Sequence, residues 1–483
     1  LSKQLPWHHV PRQKPMFTIR VLPPRPVSEL TPITGDERGY RQELNEALLR
    51  LIRLHDRPKS IKELARLTNR DDIPNIQYSL RKLAAAGLIS KSGSGRTGVN
   101  YTTTPEGVKL TDFYSVSPVC TPSRFGLLTG RYQYRAPEPF WGPLMPGWHD
   151  DLKLPDGEIT IADELKKRGY STALIGKWHL GHVDAEFGPN NHGFDYFYGF
   201  MPGCIDFVTH TYREDPALYR NNELIQEDGW ATDLMTDGAL QYIDQQKENP
   251  FFLFLSYNAP HYGKCAGGNL LQSPPEFPDL PEKSKDDREV YAAMVKNMDD
   301  NIGRVLVKLA ALGLTENTIV IFLSDNGGSY DYGGSNMPLL GEKATVWEGG
   351  IRVPCVMQWP QKIASQQVMD TPLSALDFYP TFLSWIGQTP DKEMDGLDVS
   401  NVILNGELLA QRYLYFQYKK QKAIINGDWK YVRDVTGKEY LFNLAEDPSE
   451  QKNVAGPLTQ ATTKLRGELD SFVARMQQFA GEE

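Results

Sequence analysis

Cysteine is scarce in this sequence, and no two cysteines lie close together. The four are Cys120, Cys204, Cys265 and Cys355 among 483 residues. Without a Cys-x-x-Cys pair a zinc ribbon is disfavoured, and the spacing does not imply a disulfide framework. Cys204 and Cys265 either pair in an oxidising compartment or remain buried thiols.

Long apolar runs and a basic excess are also lacking. No stretch of about 18 apolar residues occurs, so we expect no membrane span and no membrane partner. The first residues, Leu1-Ser2-Lys3-Gln4, contain neither a methionine nor an apolar signal core, so no signal peptide is visible. A net charge of −9 argues against nucleic-acid binding by the molecule as a whole. The length predicts two or three domains.

The N-terminal part differs in charge from the rest. Residues 1–35 are rich in proline and basic side chains, which predicts an irregular arm. Between residues 41 and 110 there are 13 Lys and Arg against seven Asp and Glu, a net charge of about +6. This segment is therefore the part of the chain suited to phosphate contacts.

Residues 36–110 have the pattern of a winged helix-turn-helix domain. Three helical periodicities up to Gly87 precede two predicted strands, at 88–90 and 99–102, with a glycine-rich loop between them. The segment 75–83 resembles the recognition helix of MarR-type regulators. We predict DNA contacts by three basic residues, Arg81, Lys82 and Arg96. The alternative is a winged helix that serves only protein contacts or dimerisation.

The most informative stretch is Cys120-Thr121-Pro122-Ser123-Arg124, continuing to Leu128-Thr129-Gly130-Arg131. It resembles the signature of the type I sulfatases of the alkaline-phosphatase-like superfamily, whose cysteine a maturase converts to formylglycine. The resemblance implies that Cys120 becomes the nucleophile and that Arg124 stabilises the aldehyde hydrate. Of the two hydroxyls on the hydrate carbon, one attacks sulfur and the other expels sulfate by collapsing back to the carbonyl. This is covalent catalysis in which the intermediate breaks down without an attack of water on sulfur.

Two later motifs supply cationic and histidine side chains. Gly176-Lys177-Trp178-His179 follows a predicted buried strand, and the resemblance implies that Lys177 binds sulfate oxygens and His179 contacts the hydrate. The apolar run Pro250–Ser256 predicts a strand covered on both faces. Such a strand delivers His261 at its carboxyl end, where ligands bind in α/β sheets. By resemblance His261 protonates the leaving group or holds the sulfate, and a core histidine is the alternative.

The last two motifs point to a metal and to the ester oxygen. A predicted buried strand at 318–323 leads into Asp325-Asn326, which are hard oxygen ligands for Ca²⁺, with Mg²⁺ possible. The resemblance implies that Asp325, Asn326 and modified Cys120 hold a calcium that polarises the ester. A turn with an exposed carboxylate is the alternative. In the following Lys-x4-Glu-Gly-Gly segment, Lys343 is implied to reach the ester or leaving-group oxygen.

These motifs together predict an α/β fold. We expect a mixed, mostly parallel sheet between helices for the catalytic domain, residues 111–400, and a small α+β subdomain for residues 401–483. The winged-helix domain precedes both.

One part of the family pattern is missing. The resemblance implies an early apolar strand ending in Asp-Asp, which supplies two further metal ligands. Asp71-Asp72 follows a helical pattern instead, and we assign it no metal role. We hypothesise a chimera, joined near residues 106–112. Such a chain would lack a central strand and about half of its metal-binding carboxylates, and its activity would be impaired.

The predicted function is sulfuric ester hydrolysis on a sulfated small molecule or carbohydrate. The alternatives are a phosphate or phosphonate ester hydrolase of the same superfamily, and a winged-helix DNA-binding regulator fused to an inactive sulfatase-like domain. The sulfatase part predicts a periplasmic or secreted protein, whereas the winged helix predicts a cytoplasmic one.

Overall fold

The structure is a computed structural model that divides into two compact units, Leu1–Glu106 and Gly107–Glu483. It describes residues 107–265, 268–278, 280, 287–364, 367–455 and 460–479, together with four short strands before residue 107. Among the described helices, none is long and apolar enough to cross a membrane.

The described strands of the first unit form one antiparallel sheet. They are Thr18–Ile19, Lys59–Ser60, Ile89–Ser92 and Asn100–Thr103. The last two make a hairpin in which Ile89 lies opposite Thr103. This confirms the two predicted strands of the wing, displaced by one or two residues. The predicted helices, Asp71-Asp72, most of the proline-rich arm, and Arg81, Lys82 and Arg96 lie outside the described residues.

The second unit contains two larger mixed sheets. The first has the strand order Glu223–Leu224, Tyr219–Arg220, Tyr196–Phe200, Ser171–Lys177 and Phe251–Ser256, in which the last three run parallel. The second has the order Val320–Leu323, Cys355–Gln358, Val108–Leu110 and Gln367–Met369. Three two-stranded pairs accompany them: Phe113–Tyr114 with Leu373–Ser374, Thr211–Tyr212 with Asp215–Pro216, and Gly263–Cys265 with Gly268–Leu270.

Helices lie around these sheets, as the predicted α/β class requires. They are Cys120–Thr129, Ile161–Lys167, Ala231–Gln246, Asp287–Ala311, Glu348–Ile351, Phe378–Trp385, Ser400–Asn405 and Gln460–Phe479. Apolar residues near helical spacing from Val290 onward predict a long amphipathic helix, and the structure confirms it as Asp287–Ala311. The buried core between the helix Cys120–Thr129 and the first sheet includes Phe125, Leu174 and Trp178.

Two of the predicted buried strands are less covered than expected. Ser171–Lys177 is buried at every position after its first residue. Phe251–Ser256, in contrast, is only partly buried except at Ser256, and Phe322 of Val320–Leu323 is 38% exposed. The prediction of a strand covered on both faces is therefore wrong for Phe251–Ser256, and the prediction of a buried strand is wrong for Val320–Leu323. In the described part of the chain each of the two strands also pairs on one side only.

The C-terminal region is an antiparallel sheet with a helix packed on it, as the predicted α+β subdomain requires. Its strands are Leu414–Tyr418, Gln421–Asn426, Trp429–Arg433 and Glu439–Asn443. The closing helix stacks the ring of Phe472 on Tyr415 at a centroid distance of 3.8 Å.

Candidate active site

Cys120 is the first residue of the helix Cys120–Thr129 and is 4% exposed. Pro122 occupies the first turn, where its missing N–H costs no helical hydrogen bond. The Ser123 hydroxyl donates to the carbonyl oxygen of Ser117 at 2.7 Å and accepts from its N–H at 3.1 Å. These bonds hold the chain that enters the helix, and the N–H of Ala344 adds a bond from a remote segment to the carbonyl oxygen of Pro118 at 2.9 Å.

The electrostatic environment of Cys120 favours an anion. Burial raises the pKa of its thiol, but Lys177, His179 and Lys343 outweigh burial and hold that pKa well below its ordinary value. The three side chains come from segments far apart in the sequence. Residue 120 therefore lies where several predicted site residues converge.

Arg124 connects the ends of three strands, two from the first sheet and one from the second. Its Nη1 donates to the carbonyl oxygen of Lys177 at 2.9 Å and to Ser256 Oγ at 2.6 Å, and its Nη2 pairs with Asp325 Oδ2 at 3.1 Å. Burial raises the pKa of Asp325, but Arg124, Lys177 and Lys343 lower it further than burial raises it. Asp325 is therefore held as a carboxylate, and its nearest partner in the described chain is a guanidinium.

Lys177 lies at the end of its strand because a glycine allows a close approach just before it. Gly176 has φ +111°, and a Cβ there would lie 2.0 Å from the carbonyl oxygen of Ser256. Burial lowers the pKa of Lys177, and the charge at Cys120 raises it. The ammonium is thus placed in a dry position beside an anion, which suits binding of a sulfate group.

The tautomer of His179 follows from its hydrogen bonds. Its Nε2 lies 2.8 Å from the carbonyl oxygen of Leu144, which can only accept, so Nε2 carries the proton. Nδ1 is buried without a well-aligned partner in the described chain. Burial also lowers the pKa of the imidazole. The neutral ring therefore offers Nδ1 as a proton acceptor to residue 120.

His261 and Lys343 form a second pair. His261 Nδ1 lies 3.0 Å from the carbonyl oxygen of Tyr262, so Nδ1 donates and Nε2 accepts. Lys343 Nζ lies 3.1 Å from that Nε2 and donates to it. Burial, reinforced by Lys343 and Lys177, lowers the pKa of His261 well below its ordinary value. His261 is thus neutral and accepts a hydrogen bond from Lys343.

A calcium ion fits these donors only in part. Asn326 is buried, its Nδ2 donates to the carbonyl oxygen of Gly327 at 2.9 Å, and its Oδ1 has no hydrogen-bond partner in the described chain. Asp325 is engaged by Arg124. No group of three or more His, Cys, Asp or Glu among the described residues is placed to hold a metal. Ca²⁺ takes six to eight oxygen ligands, so this donor set is too small for it.

The structure brings the predicted residues together and adds some that the motifs did not reveal. Cys120, Arg124, Lys177, His179, His261, Asp325 and Lys343 interact as described above, and Asn326 adjoins Asp325 in the chain. Ser256 was missed, although its place at the end of the Phe251–Ser256 strand is a usable signal. Gly203 was missed as well. A Cβ there would lie 2.7 Å from His179 Nε2, and nothing in the sequence links the two positions.

Three family models match this chain. Residues 90–388 match the model described as Sulfatase, and residues 340–478 match that of the C-terminal part of N-sulphoglucosamine sulphohydrolase. Residues 43–107 match a winged helix DNA-binding domain.

Individual proteins resemble the chain over most of its length. An N-acetylgalactosamine-6-sulfatase from Mus musculus is 32% identical over 391 residues, covering 73% of this chain and 70% of its own. An N-acetylgalactosamine-6-O-sulfatase from Bacteroides thetaiotaomicron is 27% identical and covers 83% and 93%. The crystal structure of Ps i-CgsB in complex with k-i-k-neocarrahexaose superimposes with a TM-score of 0.69 at 29% identity, covering 76% of this chain and 85% of that one.

Proposed function

Because this chain belongs to the sulfatase family, we propose that it hydrolyses sulfate esters at residue 120 after Cys120 has been converted to formylglycine by a maturase. The observation that carries the proposal is the convergence of Lys177, His179 and Lys343 on Cys120, which lowers the pKa of its thiol. Two of these three groups, Lys177 and Lys343, are ammonium cations, and cations placed in this way stabilise the negative charge that develops in sulfuryl transfer.

Each described side chain has a role that follows from its protonation state. The formylglycine hydrate supplies one hydroxyl for attack on sulfur and a second whose deprotonation releases sulfate. Lys177 pairs with the sulfate oxygens. His179 accepts a proton from residue 120 at Nδ1, the ring nitrogen left free by the bond to Leu144. Arg124 orients the site through Ser256 and Asp325.

The leaving oxygen receives its proton from Lys343. His261 accepts from Lys343 through Nε2 and donates to a carbonyl through Nδ1, so it has no proton to release toward the ester. Its role is to hold the lysine ammonium in place. The resemblance implied that His261 either protonates the leaving group or holds the sulfate. We keep the sulfate contact and replace the proton transfer by positioning of Lys343.

We infer that the metal site has fewer protein ligands than Ca²⁺ requires. One carboxylate and one amide oxygen in the described chain cannot satisfy Ca²⁺, so the steps above use none, and activity below that of a complete site follows. The unpaired edges of Phe251–Ser256 and Val320–Leu323 support the related hypothesis that a strand is missing between the two sheets.

A sulfated carbohydrate is the proposed substrate. Two of the similar proteins are named for the 6-sulfate of N-acetylgalactosamine, and the similar crystal structure holds a neocarrahexaose. All three names refer to carbohydrates. An arylsulfatase J and a steryl-sulfatase also resemble the chain, but over 50% and 66% of their own lengths, against 70% or more for these three, which favours a sugar ester.

The proposal is tested at residue 120 itself. With a maturase co-expressed, the tryptic peptide containing Cys120 should lose about 18 Da, and the protein should turn over nitrophenyl sulfate. Cys120→Ala should abolish turnover, whereas Lys438→Met, on the exposed part of the C-terminal sheet, should leave it unchanged. An unmodified peptide and no turnover would reject the proposal. Faster hydrolysis of nitrophenyl phosphate than of the sulfate would favour the phosphoesterase alternative.

A second function is favoured for the N-terminal unit alone. The match of residues 43–107 to a winged helix DNA-binding domain, together with the local excess of basic residues, supports DNA binding through Arg81, Lys82 and Arg96.

A further inference from the structure

A buried ion-pair network lies behind the active site and joins it to the C-terminal sheet. Lys430 Nζ lies 2.8 Å from Glu348 Oε1 and 2.8 Å from Glu450 Oε1, and all three side chains are 0% exposed. Glu450 also accepts the backbone N–H of Glu348 at 2.7 Å. A fully buried lysine between two carboxylates is costly unless its geometry is maintained, so this arrangement holds its elements in one relative position.

The network continues on the far side of Glu348. Tyr114 donates its hydroxyl to Glu348 Oε2 at 3.0 Å, and Arg352 lies 3.6 Å from the same oxygen. Arg352 in turn pairs with Asp112. Burial raises the pKa of Glu450 to about 7, although Lys430 lowers it. Glu348 is thus fixed from both sides, by the C-terminal sheet and by the catalytic domain.

Glu348 is the first residue of the one-turn helix Glu348–Ile351, called the turn below. This turn contacts residues 340–345, which carry Lys343 and are called the Lys343 segment. The N–H of Gly349 donates to the carbonyl oxygen of Leu340 at 2.7 Å. A Cβ on Gly350 would lie 2.0 Å from the carbonyl oxygen of Thr345, so the turn and the segment are in direct contact. A displacement of Glu348 would therefore move the backbone that carries Lys343.

The same turn also supports Asp325 and Asn326. The N–H of Gly327 donates to the carbonyl oxygen of Gly350 at 3.0 Å, directly after Asp325 and Asn326. A second tie comes from the C-terminal sheet, where Gln421 Nε2 donates to the carbonyl oxygen of Ala344 at 3.1 Å. Both sides of the Lys343 segment are therefore held by groups outside the site.

From these contacts we propose that Lys430 is a positioning residue: acting through Glu348, it places Lys343 against residue 120 and His261. The proposal rests on the proposed function for its kinetic consequence. Its structural consequence can be measured without turnover, because Lys343 is one of the groups that lower the pKa of the Cys120 thiol.

The kinetic arm uses the matured enzyme and nitrophenyl sulfate. Lys430→Met should lower kcat about ten- to hundredfold, since small displacements of a proton donor have effects of that size. KM should change less. Lys430→Arg should recover part of the loss, and the exposed Lys438→Met should match the wild type.

The second arm measures the pH dependence of iodoacetamide alkylation of Cys120 in protein made without a maturase, quantified by peptide mass spectrometry. Lys343→Met should move the half-maximal rate to higher pH, and Lys430→Met should move it in the same direction. Loss of the Lys430 charge acts directly on the thiol as well. Well above pH 7, where Glu450 is ionised, the double variant K430M/E450Q cancels that charge change, so a persisting shift in it reports displacement of Lys343.

The outcomes separate the two proposals. If the wild type hydrolyses no sulfate ester, the proposed function fails, and the alkylation arm still decides the role of Lys430. A wild-type alkylation profile in K430M, or in a folded K430M/E450Q, would overturn the positioning role. If circular dichroism shows that K430M is unfolded, the double variant alone decides.

Discussion

At the scale of single residues, the site depends on which groups share protons and charges. Arg124 engages the carboxylate of Asp325, and Lys343 donates to a neutral His261. Neither pairing is visible in the motifs, because each joins segments that are distant in the sequence. The identities of the charged groups were predicted from sequence, whereas their protonation states depend on distances and burial.

The engagement of Asp325 by Arg124 leads to a prediction about calcium. A Ca²⁺ ion must displace a guanidinium from the one carboxylate described at this site, so we expect a Kd of about 10⁻⁴ M or weaker. Calorimetric titration of the full chain measures it. Asp325→Asn should remove the remaining heat, whereas Asp470→Asn, at a distant ion pair with Arg433, should not. Tight stoichiometric binding by the wild type would contradict a site with too few protein ligands.

At the scale of helices and strands, most boundaries followed from periodicity, but burial did not. From their apolar sequences, Phe251–Ser256 and Val320–Leu323 were predicted to be buried strands. Each strand lies at an edge of its sheet in the described chain and is therefore only partly buried. An apolar run indicates a strand, but the number of neighbours on either side is decided by the rest of the fold.

Two phenylalanine substitutions test this difference. Phe472→Ala removes a ring that is stacked and buried against Tyr415, so the free energy of unfolding should fall by about 3–5 kcal/mol. Phe322→Ala, at a 38% exposed edge position, should cost about 1 kcal/mol or less. Urea denaturation of the full chain measures both. Equal losses would mean that Val320–Leu323 is covered on both faces after all.

At the scale of the whole molecule, two units of different charge are joined in one chain. Residues 41–110 carry a net charge of about +6, whereas the complete chain carries −9. Such a distribution confines any attraction for polyanions to the first unit. The rest of the chain has a net negative charge. An enzyme of this kind binds its anionic substrate through a few cationic side chains at the site rather than through the electrostatic field of its net charge.

The charge distribution predicts salt-dependent DNA binding by the full chain. In a gel shift on duplex DNA, affinity should fall steeply between 50 and 200 mM salt because bound counterions are released. The triple variant R81A/K82A/R96A should lose the shift, and the exposed Lys438→Ala in the acidic unit should keep it. No retardation at low salt would restrict the winged helix to protein contacts.

The sequence by itself determined the family, the α/β class and the identity of the charged residues at the site. Short motifs such as Cys120–Arg124 combine residue types whose chemistry is narrow, and hydrophobic periodicity is a local property. Only the tertiary structure decided that Arg124 pairs with Asp325, that Lys343 donates to a neutral His261, and that Lys430 is buried between Glu348 and Glu450. These properties arise from distances and burial between segments that are remote in the chain, and no local pattern encodes them.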